Sequence, residues 1–281
     1  MPSIGEALRQ ATSELKSYGI LAPDLRLLVM HDEGLQEQID VIINKDKPMK
    51  NYPLFLEQIE RLKKDEPVEY IIHEADFLGR HLYVDERVLI PRSETEELVS
   101  HISEKIGDFY DPRNYLVCAD IGTGSGAIAL ALKDAFPNWL LVASDISSDA
   151  LAVAQKNFKD SGLAIDSYLG DALTPYIEHK LNLDILVSNP PYIRDPKDAQ
   201  ASVRNFEPAQ ALWLEEGNSV YDKVFRDYQK VKRGSLYMAF EISPDLEEWL
   251  KTLMSRYLKD YEAEFVKDLN GLTRFLFVYL K

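Results

Sequence analysis

The sequence predicts an α/β protein: a seven-stranded, mostly parallel, doubly wound sheet, preceded by a small N-terminal helical bundle and a β-hairpin linker. Three observations predict it. From residue 94 onward, short apolar runs alternate with amphipathic helical segments, the pattern of a parallel sheet wrapped by helices. The first run, "ADIGTGSGAIALAL", passes from strand to helix through a turn holding Gly122, Gly124 and Gly126. The last two runs, "EAEFVKD" and "LTRFLFVYL", flank Asn270 and Gly271, a hairpin signal that turns the final strand antiparallel.

Residues 1–72 read as helices. "SIGEALRQATSELKSYGI" places Ile4, Leu8, Thr12, Leu15 and Tyr18 near one face. "APDLRLLVMHDEGL" starts on Pro23 and Asp24 and stops at Gly34. "PLFLEQIERLKKDEP" has Leu54, Ile59 and Leu62 at helical spacing and ends before Pro67. A bundle of this size lies near the lower limit for an independent core and suits a docking module. In 73–91, Phe77, Leu82, Val84, Val88 and Ile90 predict a short hairpin with Asp85, Glu86 and Arg87 as its turn. The remainder, 92–281, is the α/β domain. Its strands fall at 116–121, 140–145, 164–169, 184–188, 235–242, 262–267 and 274–280. Its helices fall at 94–105, 127–136, 148–161, 219–233 and 244–257.

Composition excludes several classes. The chain has 281 residues, 46% hydrophobic and 28% charged, and no apolar run long enough to span a membrane. Its N-terminus lacks the apolar core of a signal peptide. The single cysteine, Cys118, cannot form an internal disulfide and reads as a small core residue, which fits a reducing, cytoplasmic setting. The five histidines show no metal-ligand spacing. A formal net charge of −15 argues against nucleic acid as the main partner, the basic stretch at 45–50 notwithstanding.

Ligands of parallel sheets bind beyond the carboxyl ends of the strands. Four successive ends carry the glycine loop (Gly122, Thr123, Gly124, Ser125, Gly126), then Asp145, then Asp171 with Ala172, then Asn189. Asp145 can accept from ribose hydroxyls and Asp171 from an adenine amino group. The loop is G-x-G-x-G, unlike the dinucleotide G-x-G-x-x-G. A nicotinamide dinucleotide would need a phosphate cradle, whereas S-adenosyl-L-methionine places an amino acid there.

The stretch "VSNPPYI" favours S-adenosyl-L-methionine. The Asn189 oxygen and the Pro190 carbonyl can each accept one N–H of a planar NH2 group. Pro190 and Pro191 fix the backbone, and Tyr192 offers a flat face. Such a grip suits methylation of an amide or aromatic amine, whose delocalised lone pair is a poor nucleophile.

"VSNPPYI" with "DIGTGSGAIALAL" resembles the methyltransferases of planar exocyclic nitrogens. "EPVEYIIHEADFLGRHLYVDERVLIPRSETEELV" and "NFEPAQAL" narrow the resemblance to the release factor glutamine methyltransferases. That resemblance implies methylation of the glutamine amide in the Gly-Gly-Gln loop of class 1 peptide chain release factors. It places the donor on Gly122, Thr123, Gly124, Ser125, Gly126, Asp145, Ala172 and Asn189, beside the Asp171 read from its strand end, and the glutamine on Asn189, Pro190, Pro191 and Tyr192. The expectation is a cytoplasmic monomer, with the helical domain docking the release factor. His73, Ser93 and Ala172 depart from the family's usual glycine, proline and aromatic. Arg92, Glu94 and Glu97 read equally as an ion-pair network or as substrate contacts. The alternatives are an adenine or guanine methyltransferase acting on nucleic acid, a nucleoside-sensing scaffold and a nicotinamide dehydrogenase.

Overall fold

The computed structural model describes all 281 residues and divides them into two compact units, 1–74 with Ala201–Phe206, and 75–200 with 207–281. No helix is long and apolar enough to cross a membrane. The sequence predicts a second domain unbroken from 92, whereas the short helix Ala201–Phe206 belongs to the first unit.

The first unit contains α1 (Ile4–Leu15), α2 (Ala22–Glu33), α3 (Gln38–Ile43), α4 (Tyr52–Leu62) and α5 (Val68–Ile72). Ser3 and Glu6 form a reciprocal cap at the start of α1. The buried stripe of α1 is Ile4, Ala7, Ala11 and Leu15. The expected stripe is thus right at Ile4 and Leu15 and wrong at Thr12 and Tyr18, which are exposed. Two alanines face inward because a small side chain permits close helix packing, which a reading based on apolar bulk overlooks. Asp24 accepts from the Leu21 N–H at the start of α2, and Gly34 closes that helix at φ +69°. The sequence reading missed α3, whose N-terminus is held by Asp40 accepting from the Gln36 and Glu37 N–H groups. Leu15, Leu28, Phe55 and Ile59 belong to the core of this unit. His73 ends α5 at φ +56°, where glycine is least strained.

The linker hairpin pairs β1 (Glu74–Phe77) with β2 (Arg80–Tyr83). Its turn is Leu78 and Gly79, both at positive φ as a type I′ turn requires, not Asp85 to Arg87. A leucine at φ +48° is an unusual turn residue, so the polar Asp-Glu-Arg drew the prediction. The five predicted apolar residues are all buried. Asp85 forms a second turn, accepting from the Arg87 backbone and guanidinium.

The second unit continues with α6 (Ser93–Lys105), β3 (Val117–Ile121), α7 (Ala127–Ala135), β4 (Leu140–Asp145), α8 (Ser148–Ser161), β5 (Asp166–Leu169), α9 (Thr174–Glu178) and β6 (Leu183–Ser188). After α10 (Ala201–Phe206, of the first unit) come α11 (Val220–Asp227), β7 (Lys232–Glu241), α12 (Glu247–Tyr257), β8 (Tyr261–Lys267) and β9 (Thr273–Leu280). The sheet order is β5-β4-β3-β6-β7-β9-β8, with β9 antiparallel to both neighbours. Strand alternation feeds two cores. Cys118, Leu141, Ile185 and Tyr237 enter one; Ala119, Val142, Leu186 and Met238 enter the other. Cys118 is a fully buried core residue, as expected. The helix predicted for 219–233 stops at Asp227, because the sheet captures Lys232 through pairing with Leu183 across a bulge.

Ser93 occupies the first helical position of α6, after an extended Arg92 at φ −111° and ψ 153°. Both features suit proline at 93. Ser93→Pro therefore raises stability by about 0.4–1 kcal/mol, read as a higher urea midpoint with unchanged slope.

Candidate active site

The glycine loop is held from beneath. Asp120, at the end of β3, is fully buried; its Oδ2 accepts from Thr123 Oγ1 at 2.6 Å and from the Ala129 N–H at 3.1 Å. Gly122 and Gly124 line a cavity of about 550 Å³, with open space where a Cβ would stand. Gly124, at φ +54°, donates its N–H to Asp145 Oδ2 at 2.9 Å. Asp145 Oδ1 accepts from the Ser147 N–H at 2.9 Å. The carboxylate at the tip of β4 is thus fixed by two backbone donors and keeps lone pairs for a diol. Burial raises its pKa, while the Ser147, Gly124 and Ile146 N–H groups oppose the rise.

Thr123, Ser125, Asp145, Asp171, Asn189, Pro190 and Pro191 share this cavity wall. Three predicted residues do not. Gly126 faces Phe158: a Cβ there would lie 2.5 Å from the ring, so this glycine serves helix packing rather than ligand approach. Ala172 is buried at φ +47°, away from the wall. Tyr192 packs against the second core and donates its hydroxyl to Glu241 Oε1 at 3.0 Å. Asp171 is on the wall but shares its carboxylate with Lys223 Nζ, at 2.7 and 3.0 Å.

At the end of β6, Ser188 Oγ donates to the Ile121 carbonyl at 2.6 Å, locking this strand end to that of β3. Asn189 follows. Its Nδ2 donates to Thr95 Oγ1 at 3.0 Å, and Thr95 Oγ1 donates to Glu241 Oε2 at 2.7 Å. Asn189 Oδ1 and the Pro190 carbonyl are left as acceptors, with no donor of the chain bonded to them. The segment after Tyr192 is held by Ile193 and Leu214, which bond across to the Leu212 and Ile193 carbonyls. Arg92 forms an ion pair with the buried Glu207, and Glu97 accepts from the Leu269 N–H, so both have structural partners.

Sequence reasoning missed Glu241, Asn157 and the wall residues Thr95, Arg87, Trp213 and Asn218. Asn157 is buried and binds both the Tyr83 backbone and the Ser125 carbonyl, joining linker to glycine loop. Glu241 did leave a signal, as a lone acid ending an apolar strand; Thr95, one hydroxyl in a charged helical turn, left none.

Burial pushes Asp120 and Glu241 each up to about 7, from ordinary values of 3.8 and 4.5. Within that window the folded chain binds more protons than the unfolded chain. Stability therefore falls as pH rises toward 7, by up to ~1.4 kcal/mol per unit for each group. Acids with lowered values, such as Asp85 and Asp268, act only below the window. Urea titrations across it should show a decline that Asp120→Asn makes shallower; an unchanged slope in that variant would place the titration elsewhere.

The fold and the site together define a methyltransferase domain. The family model described as "Methyltransferase small domain" matches residues 95–233. Two solved structures share the fold at TM-score 0.52 and 16% identity. They are the Thermus thermophilus 16S rRNA N2 G1207 methyltransferase (74% of this chain, 49% of that one) and the human Mettl16 catalytic domain (80% of each). The chain is 37% identical over 279 residues to the release factor glutamine methyltransferase of Bacillus subtilis, covering 98% of this chain and 96% of the relative. It is 36% identical to that of Streptococcus pneumoniae, covering 97% and 94%. The chain belongs to the release factor glutamine methyltransferase family.

Proposed function

We propose that this protein transfers a methyl group from S-adenosyl-L-methionine to the side-chain amide of the glutamine in the Gly-Gly-Gln loop of class 1 release factors. One observation carries the reading. Two unsatisfied acceptors, Asn189 Oδ1 and the Pro190 carbonyl, belong to residues lining the same cavity as the glycine loop and Asp145. The residues present fit the donor: Gly122, Gly124 and Ser125 leave room at the loop, and Asp145 retains acceptor capacity for a ribose diol. Bound there, the donor supplies an electrophilic methyl carbon on a sulfonium.

The chain's own work is orientation. Asn189 Oδ1 and the Pro190 carbonyl each take one N–H of the planar amide and aim its lone pair. Those N–H bonds become more polar as the nitrogen attacks, so both acceptors favour the transition state over the ground state. Fixing the reactants can supply at most about 7–11 kcal/mol. Methylation acidifies the nitrogen, so its proton departs afterwards and no strong base is required. Tyr192, anchored on Glu241 and off the cavity wall, supports the site from behind.

The protein acts, in this reading, as a cytoplasmic monomer, and the helical unit docks the release factor. Deleting residues 1–72 is expected to spare donor binding and cripple methylation of the intact protein substrate; equal activity after truncation rejects that role. Methyl transfer from labelled donor is expected to release factor and not to DNA or RNA. Transfer to nucleic acid alone overturns the proposed function.

A further inference from the structure

We propose that Thr95 and Glu241 are positioning residues that decide which end of the Asn189 amide faces the cavity. The inference rests on the amide-methylation reading above. An asparagine amide has two ends of nearly equal shape but opposite hydrogen-bonding character. With Oδ1 outward, Asn189 accepts from a substrate NH2. Turned over, it would present its own NH2, donor against donor. Proline rigidity does not select between these states, because the flip is a side-chain rotation.

The selection lies in the chain of bonds behind Asn189. A carboxylate only accepts, so Glu241 Oε2 takes the single Thr95 hydroxyl proton at 2.7 Å. The Thr95 oxygen, its proton committed, can only accept from its other neighbour, and it does so from Asn189 Nδ2 at 3.0 Å. The sequence of bonds therefore runs one way, from Asn189 to Thr95 to Glu241, and Oδ1 is what remains for the cavity. The other Glu241 oxygen is taken by the Tyr192 hydroxyl at 3.0 Å. Tyr221 donates to the Glu241 main-chain carbonyl at 2.6 Å and holds the strand end. Glu241 is 1% and Thr95 5% exposed, so water offers little competition for these bonds.

The polarity argument separates this role from simple packing. Glu241→Gln keeps shape and volume but brings one NH2 end. If that end faces Thr95, it donates to the hydroxyl oxygen, and the freed Thr95 proton bonds Asn189 Oδ1, turning the amide over. If it faces Tyr192, the carbonyl end still accepts from Thr95 and the Asn189 orientation is kept, so only the Tyr192 bond is disturbed. Thr95→Val removes the relay at constant volume, whereas Thr95→Ser keeps it.

The test is steady-state methylation of a release factor, with binding of S-adenosyl-L-homocysteine by calorimetry and thermal melting on every variant. Assays run at a pH well above 7, where Glu241 is ionised. Thr95→Val is expected to lower kcat on the order of 10²-fold, with KM and product affinity changed less than about threefold, and Glu241→Gln is expected to lose no more than that. Thr95→Ser is expected to stay within about threefold of the wild type. The Thr95 pair carries the test independently of how well Glu241→Gln folds. A Thr95→Val enzyme with wild-type kcat overturns the inference alone. Equal loss in Thr95→Val and Thr95→Ser, or loss of product binding parallel to kcat, also overturns it, since either marks a structural role. A wild-type protein that methylates no release factor overturns the functional reading itself.

Discussion

Asn189→Ala lowers kcat for release factor methylation on the order of 10²–10³-fold and leaves donor affinity nearly intact. The magnitude follows from removing one of two preorganised acceptors. The lost interaction is stronger in the transition state than in the ground state, so kcat falls more than KM rises. Donor affinity survives because the loop and Asp145 are fixed independently of Asn189, through Asp120, Asn157 and the Ser147 N–H. The Nδ2 bond to Thr95 is lost too, but alanine leaves the Thr95–Glu241 bond in place. Single-turnover kinetics with calorimetry of product binding check this. A variant that loses both in proportion would make Asn189 a cofactor residue only.

Gly126→Ala has the largest expected effect on stability, a loss of about 2–5 kcal/mol. Two penalties combine. The backbone sits at φ +85°, which an L side chain occupies at a cost of about 1–2 kcal/mol. The new methyl would also lie 2.5 Å from Phe158 Cε1, and overpacking of this kind costs about 1–3 kcal/mol. Phe158 is a buried member of the core that holds Ile128, Leu130 and Ala154, so displacing its ring disturbs close packing. Denaturant unfolding monitored by circular dichroism measures it. Gly124→Ala is the contrast, because its Cβ would meet only open space, so its penalty is limited to the backbone term and to the ligand.

The fold was legible because the central strands β3, β4 and β6 are buried on both faces and the helices beside them on one, although the edge strands β5 and β8 stay largely exposed. Period and apolar length then coincide, and β4 and α8 match their predicted bounds at both ends. Legibility failed where a short element depends on tertiary partners. α3 has one fully buried residue, Val41, and no apolar stripe to read. The linker turn relies on a leucine forced to positive φ by the strands around it. β7 gains its first residues from pairing with β6, which nothing local to "KVKRG" announces.

At the site, strand ends were readable and side-chain directions were not. Asp145 and Asn189 stand at carboxyl ends of parallel strands, where topology alone brings them together. Gly126 and Ala172 share those loops but turn away, and loop direction is set by packing such as that of Phe158. Tyr192 looked like a stacking face because its hydroxyl partner, Glu241, lies far away in sequence. Thr95 and Glu241 are likewise joined only by the fold, with α6 laid beside the end of β7.

The central claim is that a carboxamide oxygen and a proline carbonyl present a glutamine amide to a methyl donor. Its most direct measurement is mass spectrometry of the release factor after incubation with enzyme and S-adenosyl-L-methionine, reading the peptide that contains Gly-Gly-Gln. The account predicts one added methyl on the glutamine side-chain nitrogen, absent with the Asn189→Ala enzyme over the same short interval. A methyl group on any other residue, or an unmodified glutamine beside a methylated nucleic acid, would contradict it.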